Sequence, residues 1–467
     1  MNFPKSRPNF ASRVTALVLS AGFLAFFPGC ALRDQNVVPA VRAESPDLGE
    51  MLTGFAHDTI PGAPMPAEPA DSPAPQPELN AVLAQPERPV SPGAEEWITR
   101  SGEKARDVIL TDAEIDALNA KIAENCPAVV DIANPPATMD GSAVREMSRK
   151  YSMPAGDRFT RNGEYIDASK RQKIETRRAA DSVPEIVTVK KAVITNRCDL
   201  KGVPTSIGFH AYGDRHYSGI QETELITGFP VWILHESSDG AFVFVQSYYY
   251  AGWIPSEFAA LCTDEEFSAF ANPGQYVTVT ATSVDVNGTR LDMGAALPYV
   301  SEDETGFTVS VPVRDESGNL TLADGNLAKT DAVYGSLPYT MENYYNQAFA
   351  FLGTPYGWGG SDGGVDCSGF VCAVFRCFGI YLPRNTGEQS RYNGEIVNLA
   401  GLTAEQKHAA FSSLDIPSSV HWAGHVMLYL GEKNGAHYVI HAPQGGEVVS
   451  VMQLNLYSTF ICAAKIH

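Results

Sequence analysis

Ten prolines fall between Pro61 and Pro92, and neither a helix interior nor a central strand tolerates that density. Each proline locks φ and lacks the amide proton that either hydrogen-bond ladder needs. From about Ala31 onward the same stretch is rich in Pro, Ala and acidic residues and poor in apolar periodicity. Such a composition cannot bury enough surface to offset its ordering entropy, and it favours extended polyproline segments. Residues 31–94 are therefore read as a disordered tether, and compact structure is expected only beyond it.

Ahead of the tether, Lys5, Arg7 and Arg13 precede an apolar stretch from Val14 to Phe27, then Pro28-Gly29-Cys30-Ala31. That is the layout of a secretory signal over residues 1–30, too short for a comfortable transmembrane helix. Cys30 after a small residue resembles a bacterial lipobox, which implies lipidation at Cys30 and a membrane anchor; an ordinary cleaved signal with a chance cysteine is the alternative. The address expected is the bacterial cell envelope, lipid-anchored on the periplasmic face of the outer membrane. Charge excludes another class of partner. With 34 Lys+Arg against 54 Asp+Glu, a net charge of −20, the chain lacks the basic footprint that nucleic acid demands. Hydrophobic residues at 44% are enough for ordinary cores.

Residues 95–186 read as a helical N-terminal domain. Thr111-Asp112-Ala113-Glu114 is a capping-box pattern, and Ile115, Leu118 and Ile122 follow on one helix face. Residues 141–200 carry 13 Lys+Arg against 8 Asp+Glu, a mild basic patch that suits a solvated helix face or an acidic polymer. From Val187 the texture changes to short β runs between turns. Phe229–Leu234 and Ala241–Gln246 flank the loop Glu236–Gly240, and a second set runs through Tyr276–Ala281, Ala295–Val300 and Gly306–Val313. Two all-β barrels in tandem are expected, at residues 187–268 and 269–336. The first, with Tyr250-Ala251-Gly252-Trp253-Ile254-Pro255, resembles bacterial SH3-like domains. Cys198 and Cys262 flank it, and an exported address permits a bridge between them.

The chemistry is concentrated in residues 337–467. Tyr356-Gly357-Trp358-Gly359-Gly360 is a glycine-rich loop, and Val365-Asp366-Cys367-Ser368-Gly369 leads into the apolar run Phe370–Phe378. Cys367 therefore starts a buried helix, whose free amides and dipole are expected to lower its thiol pKa and later to hold an oxyanion. Cys372 and Cys377 would point to other faces of that helix, and no C-x-x-C spacing exists, so neither a metal nor another cofactor is expected. A base comes from downstream, where His421, His425, His437 and His441 lie. If Leu430 pairs with Ala436 across the loop Gly431–Gly435, His425 lies opposite His441 and His437 opposite Tyr429. Taken singly, each histidine suits the end of a strand better than a catalytic role.

Asp366-Cys367-Ser368-Gly369-Phe370, Leu382-Pro383-Arg384, His425 to Gly431 and Ile440-His441-Ala442 resemble NlpC-type papain-like cysteine peptidases of the bacterial cell wall. The resemblance implies an α+β papain-like fold and cleavage between γ-D-glutamate and a diamino acid, usually meso-diaminopimelate, in murein stem peptides. It implies Cys367 as nucleophile, His425 as base and His441 as the group orienting it. Tyr356 would lie beside the oxyanion, with Trp358 in the same loop, and Asp366 and Ser368 would bind the substrate backbone or its D-glutamate carboxylate. An acidic residue after the Pro-Arg step usually helps bind the free L-alanine amine. Here Asn385 and Thr386 follow, so Glu222 and Tyr250 of the first barrel are expected to complete that site. The expected partners are stem peptides or peptidoglycan, acted on by a monomer. Two other readings are a wall-binding lipoprotein without activity, and an amide hydrolase or acyltransferase on the same fold.

Overall fold

The computed structural model describes residues 90–467 except Gly446. The signal, the lipidation at Cys30 and nearly all of the tether lie outside the described residues. The described part forms one compact unit, and no helix in it is long and apolar enough to cross a membrane.

The helical region contributes α1 (Glu95–Ser101), α2 (Asp112–Asn125), α3 (Gly141–Arg149) and α4 (Ala168–Arg178). Glu114 accepts from the Thr111 amide at 2.8 Å, the capping box anticipated from sequence, and Ile115, Leu118 and Ile122 are buried. Two short strands, β1 (Thr138–Asp140) and β2 (Ile186–Thr188), pair across the region. The basic residues here are spent largely on internal contacts. Arg145 donates to the carbonyls of Ala180 and Val183, Arg171 to those of Pro154 and Gly156, and buried Arg178 to that of Tyr151.

The first β unit is a seven-stranded antiparallel sheet. Its strands are β3 (Lys190–Ile194), β4 (Cys198–Lys201), β5 (Gln221–Leu225), β6 (Pro230–Glu236), β7 (Phe242–Gln246), β8 (Ala251–Pro255) and β9 (Ala259–Leu261), in the order β5-β4-β8-β7-β6-β3-β9. Cys198 and Cys262 are both free thiols, so no bridge closes this unit. After α5 (Asp264–Ala271) come β10 (Tyr276–Val279), the β11–β12 hairpin (Ser283–Val286, Thr289–Asp292), β13 (Ala296–Glu302), β14 (Gly306–Arg314), β15 (Leu320–Ala328) and β16 (Ala332–Tyr334). Five of them form the sheet β15-β14-β13-β10-β16. One apolar core runs through both units, from Val231, Val245 and Trp253 to Val277, Leu297 and Val309.

The C-terminal part adds α6 (Met341–Ala350), α7 (Cys367–Arg376), α8 (Thr386–Tyr392) and α9 (Ala404–Ser412) to a six-stranded antiparallel sheet. The sheet comprises β17 (Glu395–Asn398), β18 (Ser418–Trp422), β19 (His425–Lys433), β20 (Ala436–His441), β21 (Ser450–Gln453) and β22 (Phe460–Lys465), ordered β17-β22-β18-β19-β20-β21. All ten residues of α7 are buried. On its side of the sheet Phe370, Phe375, Leu428 and Ile440 share a core with Trp97, Ile115 and Leu118 of the helical region. The opposite face packs Phe411 of α9 against Val420, Met427 and Tyr429. The helical region is thus built into the C-terminal core rather than strung beside it.

Candidate active site

Asp366 caps α7, accepting the Gly369 amide at 2.7 Å, and this places Cys367 in the first turn. Asp366 holds more than the helix. It accepts from the Gly359 amide at 3.0 Å and takes both arms of the buried Arg384 guanidinium, at 3.0 and 2.7 Å. Arg384 also donates to Ser368 Oγ at 2.8 Å and to Thr223 Oγ1 of β5 at 2.7 Å, and it lies 3.4 Å from Glu224 Oε2. The carboxylate of Asp366 is therefore occupied by the fold. Two anions would face each other if it met a substrate carboxylate directly, so the substrate backbone is the contact kept for Asp366. Arg384 was visible in sequence only as part of a Leu-Pro-Arg run; of its two buried anionic partners, Asp366 lies 18 residues away and Glu224 160.

The glycines of the loop answer a close approach. Gly359 and Gly360 take φ of 57° and 72°, a region where side chains are strained. A Cβ on Gly360 would stand 2.0 Å from Glu224 Oε2, and one on Gly359 2.8 Å from Gln221 Cγ. Trp358 donates its indole N–H to the Gln221 carbonyl at 3.0 Å and packs on Tyr217 with ring centroids 4.7 Å apart. Through these contacts the loop seats the first barrel against the cysteine helix.

The expected hairpin register is corrected. Lys433 pairs with Ala436 around Asn434-Gly435, whose φ values of 54° and 76° are those of a type I′ turn. A bulge between Tyr429 and Gly431 then shifts the pairing to Leu428 with Ile440. His425 and His441 consequently meet diagonally on one face rather than directly opposite, and they still come together: His425 Nε2 lies 2.9 Å from His441 Nδ1. His437 is registered with Glu432, not Tyr429, and sits four residues along β20 from His441, at the turn end of the hairpin.

Cys367 is only 4% exposed, and its sulfur accepts from the amides of Val426, next to His425, and Ser368. Burial pushes the thiol up to about 12, Asp366 adds to the rise, and the two amides and Arg384 oppose it. The lowered thiol pKa expected from the helix terminus is thus corrected, because desolvation outweighs the amides. His425 is drawn down to about 4, by burial first and then by His441, with Asp366 opposing. Burial also lowers His441, against the charge of Glu447. In the resting protein a neutral thiol faces a neutral imidazole pair. Tyr356 stands beside them: burial raises its phenol pKa, as does the charge of Asp366, and a thiolate at Cys367 would add to the rise.

Glu222 and Tyr250 are brought together, the Tyr250 hydroxyl donating to Glu222 Oε2 at 2.6 Å. Tyr151, from the helical region, stacks on Tyr250 with centroids 6.2 Å apart. Burial raises the Glu222 pKa, while Tyr250, Lys150 and Arg384 lower it. Asn385 precedes α8 without capping it, and Thr386 is the first residue of that helix. One turn on, the charge of Glu388 reaches Tyr151. Neither Tyr151 nor Glu388 was expected beside Glu222 from the sequence. The only available signal was that Glu388 lies three residues after the position where a carboxylate was expected.

Residues 353–464 match the model of the NlpC/P60 family, and residues 209–255 that of the SH3 domain of SH3b1 type. The chain is 29% identical over 251 residues to the gamma-D-glutamyl-L-lysine dipeptidyl-peptidase of Bacillus cereus (strain ATCC 10987 / NRS 248), covering 50% of this chain and 71% of that protein. It is 32% identical over 180 residues to the enzyme of the same name from Bacillus subtilis (strain 168), covering 38% of this chain and 55% of that protein. Among solved structures, an NlpC/P60 endopeptidase from Photobacterium damselae subsp. piscicida is similar in fold, with a TM-score of 0.65 at 19% identity over 81% of this chain and 98% of that one.

Proposed function

From the premise that the chain carries an NlpC/P60 cysteine-peptidase domain, we propose that it is a peptidoglycan hydrolase cutting stem peptides between γ-D-glutamate and the diamino acid, with meso-diaminopimelate accepted there. The observation that carries the reading is the 2.9 Å contact of His425 with His441 on the strand whose next amide touches the Cys367 sulfur. His425 Nε2–H donates to His441 Nδ1, which leaves Nδ1 of His425 to take the thiol proton. The Cys367 sulfur then attacks the γ-carbonyl carbon, and the amides at the start of α7 with Tyr356 hold the oxyanion. His425 returns the proton to the departing amine. It next deprotonates the water that hydrolyses the thioester, which frees the glutamyl carboxylate and restores the thiol. Asp366, whose charge favours protonated His425, steadies the imidazolium in both steps, and Ser368 and Arg384 keep Asp366 in place.

The chain is further proposed to prefer peptides with a free L-alanine amine. Both curated relatives are named dipeptidyl-peptidases, and such an activity counts two residues from a free N-terminus. Glu222, held by Tyr250 under Tyr151, supplies a carboxylate for the ammonium, and Glu388 a second where Asn385 has none. A place outside the cytoplasm follows for an enzyme of this substrate, with Cys30 as the proposed anchor point. The test is mass spectrometry of products from synthetic stem peptides carrying meso-diaminopimelate or L-lysine, each with free and acetylated L-alanine. Release of L-Ala-D-Glu from the free peptides, absent with Cys367→Ala, is expected. Intact peptides after prolonged incubation would leave a wall-binding protein instead.

A further inference from the structure

At the turn end of the β19–β20 hairpin, away from the cysteine, His437 and Glu432 approach His408 of α9. Their nearest ligand atoms all lie within 4.8 Å of one another. His437 is buried, 1% exposed, and its hydrogen bonds decide its tautomer. The Tyr429 hydroxyl donates its one proton to the Phe411 carbonyl at 3.1 Å, so it must accept from His437 Nδ1 at 2.7 Å. Nε2 of His437 therefore carries a lone pair, and it points at Nδ1 of His408, 2.8 Å away. Glu432 is oriented as well: its Oε2 accepts from Ser412 Oγ at 2.8 Å.

We propose that His408, Glu432 and His437 form a binding site for a zinc ion that clips α9 to the β19–β20 hairpin. Two imidazole nitrogens and a carboxylate are a ligand set zinc accepts at about 2.0–2.2 Å, with a fourth position left for water. Two of the three ligands already have the outer partner that metal-bound side chains typically have, a hydroxyl on His437 Nδ1–H and another on the carboxylate. In the metal-free pair His408 Nδ1–H donates to His437 Nε2. On binding, that proton leaves Nδ1 and the partly exposed His408 takes one from solvent at Nε2, so both imidazoles stay neutral and no net proton is released. This site has no thiolate, and its two histidines stand 29 residues apart. The role is structural: β19 and β20 carry His425 and His441 at their far ends, and the clip braces the sheet without touching the reaction.

The experiment is calorimetric titration of the full chain with zinc ion in a Cys367→Ala background, which removes the thiol as a competing ligand. About one equivalent is expected to bind and to raise the melting temperature. Adding His408→Ala should abolish both effects, and Tyr429→Phe should weaken zinc about tenfold by freeing His437 to turn. Circular dichroism of the His408→Ala protein checks that it is folded, and His408→Ala alone should cleave stem peptides at the wild-type rate. Zinc uptake unchanged by His408→Ala, carried for instance by the His425–His441 pair, would overturn the proposal, as would no uptake at all.

Discussion

At Cys367 the free amides of a helix start and the loss of water act in opposite directions, and the second is larger. With the thiol pushed up to about 12, it is protonated at neutral pH, and the proposed mechanism requires His425 to take its proton when substrate is bound. Alkylation of the free protein by iodoacetamide should therefore keep rising with pH beyond 9. A plateau between pH 5 and 7 would indicate a resting thiolate–imidazolium pair. His425→Ala should abolish turnover, whereas His441→Gln, which keeps an acceptor for the imidazole, should lose less; equal losses would argue that His441 does more than orient. Glu222→Gln should raise KM for free L-alanine peptides about tenfold, the loss of ~1.4 kcal/mol of charge contact. Acetylating the amine should add little further loss, and additive effects would separate Glu222 from the ammonium. At this scale the cysteine at a helix start and the two histidines brought together could be read from the chain, because each sits in a local pattern, whereas Glu222 and Tyr250 were expected only through the family resemblance. Arg384, Tyr151 and Glu388 could not, because what defines them is a partner about 100 to 240 residues away on another element.

The elements most legible in the sequence were those whose signal is local. The box at Thr111, the apolar face of α2 and the strands on either side of Glu236–Gly240 needed only neighbouring residues. The β19–β20 register failed for a related reason. Asn434-Gly435 is a two-residue turn signal lying inside what was read as a five-residue loop, and a bulge one residue from Tyr429 leaves no mark in an apolar run. The glycine loop was recognised by composition, but its purpose lies in β5. Gly360→Ala would put a methyl group 2.0 Å from Glu224 at a φ of 72°, so the loop must lift from the barrel. The expected result is a lower melting temperature, by roughly 1–3 kcal/mol of stability, and a fall in kcat as Asp366 loses the Gly359 amide. An unchanged kcat would mean that the loop does not position the cysteine helix.

Across the whole molecule, buried neutral histidines make stability depend on pH. His425 and His421 are held near 4 and 3 against an ordinary 6.5, so between those values the unfolded chain binds protons that the folded one refuses. Their contribution is complete above pH 6.5 and is lost as pH falls through about 4 for His425 and about 3 for His421, on the order of 3 and 5 kcal/mol respectively. Melting temperature should drop over that window, and His421→Gln should make the drop shallower; an equally steep fall would point to other groups. Trp97 is likewise a property of the whole: it is 5% exposed, with its ring 6.5 Å from Tyr345 and 5.7 Å from Tyr438. Trp97→Ala should cost ~3–5 kcal/mol, and a fragment beginning at residue 337 should be far less stable than the full chain. The same tryptophan sets a timetable. Tyr438 leaves the ribosome about 340 residues after it, an interval of roughly 20–70 s at ordinary rates of synthesis. For that interval the first helices have no finished partner, so this end of the protein, although made early, is among the last parts to settle.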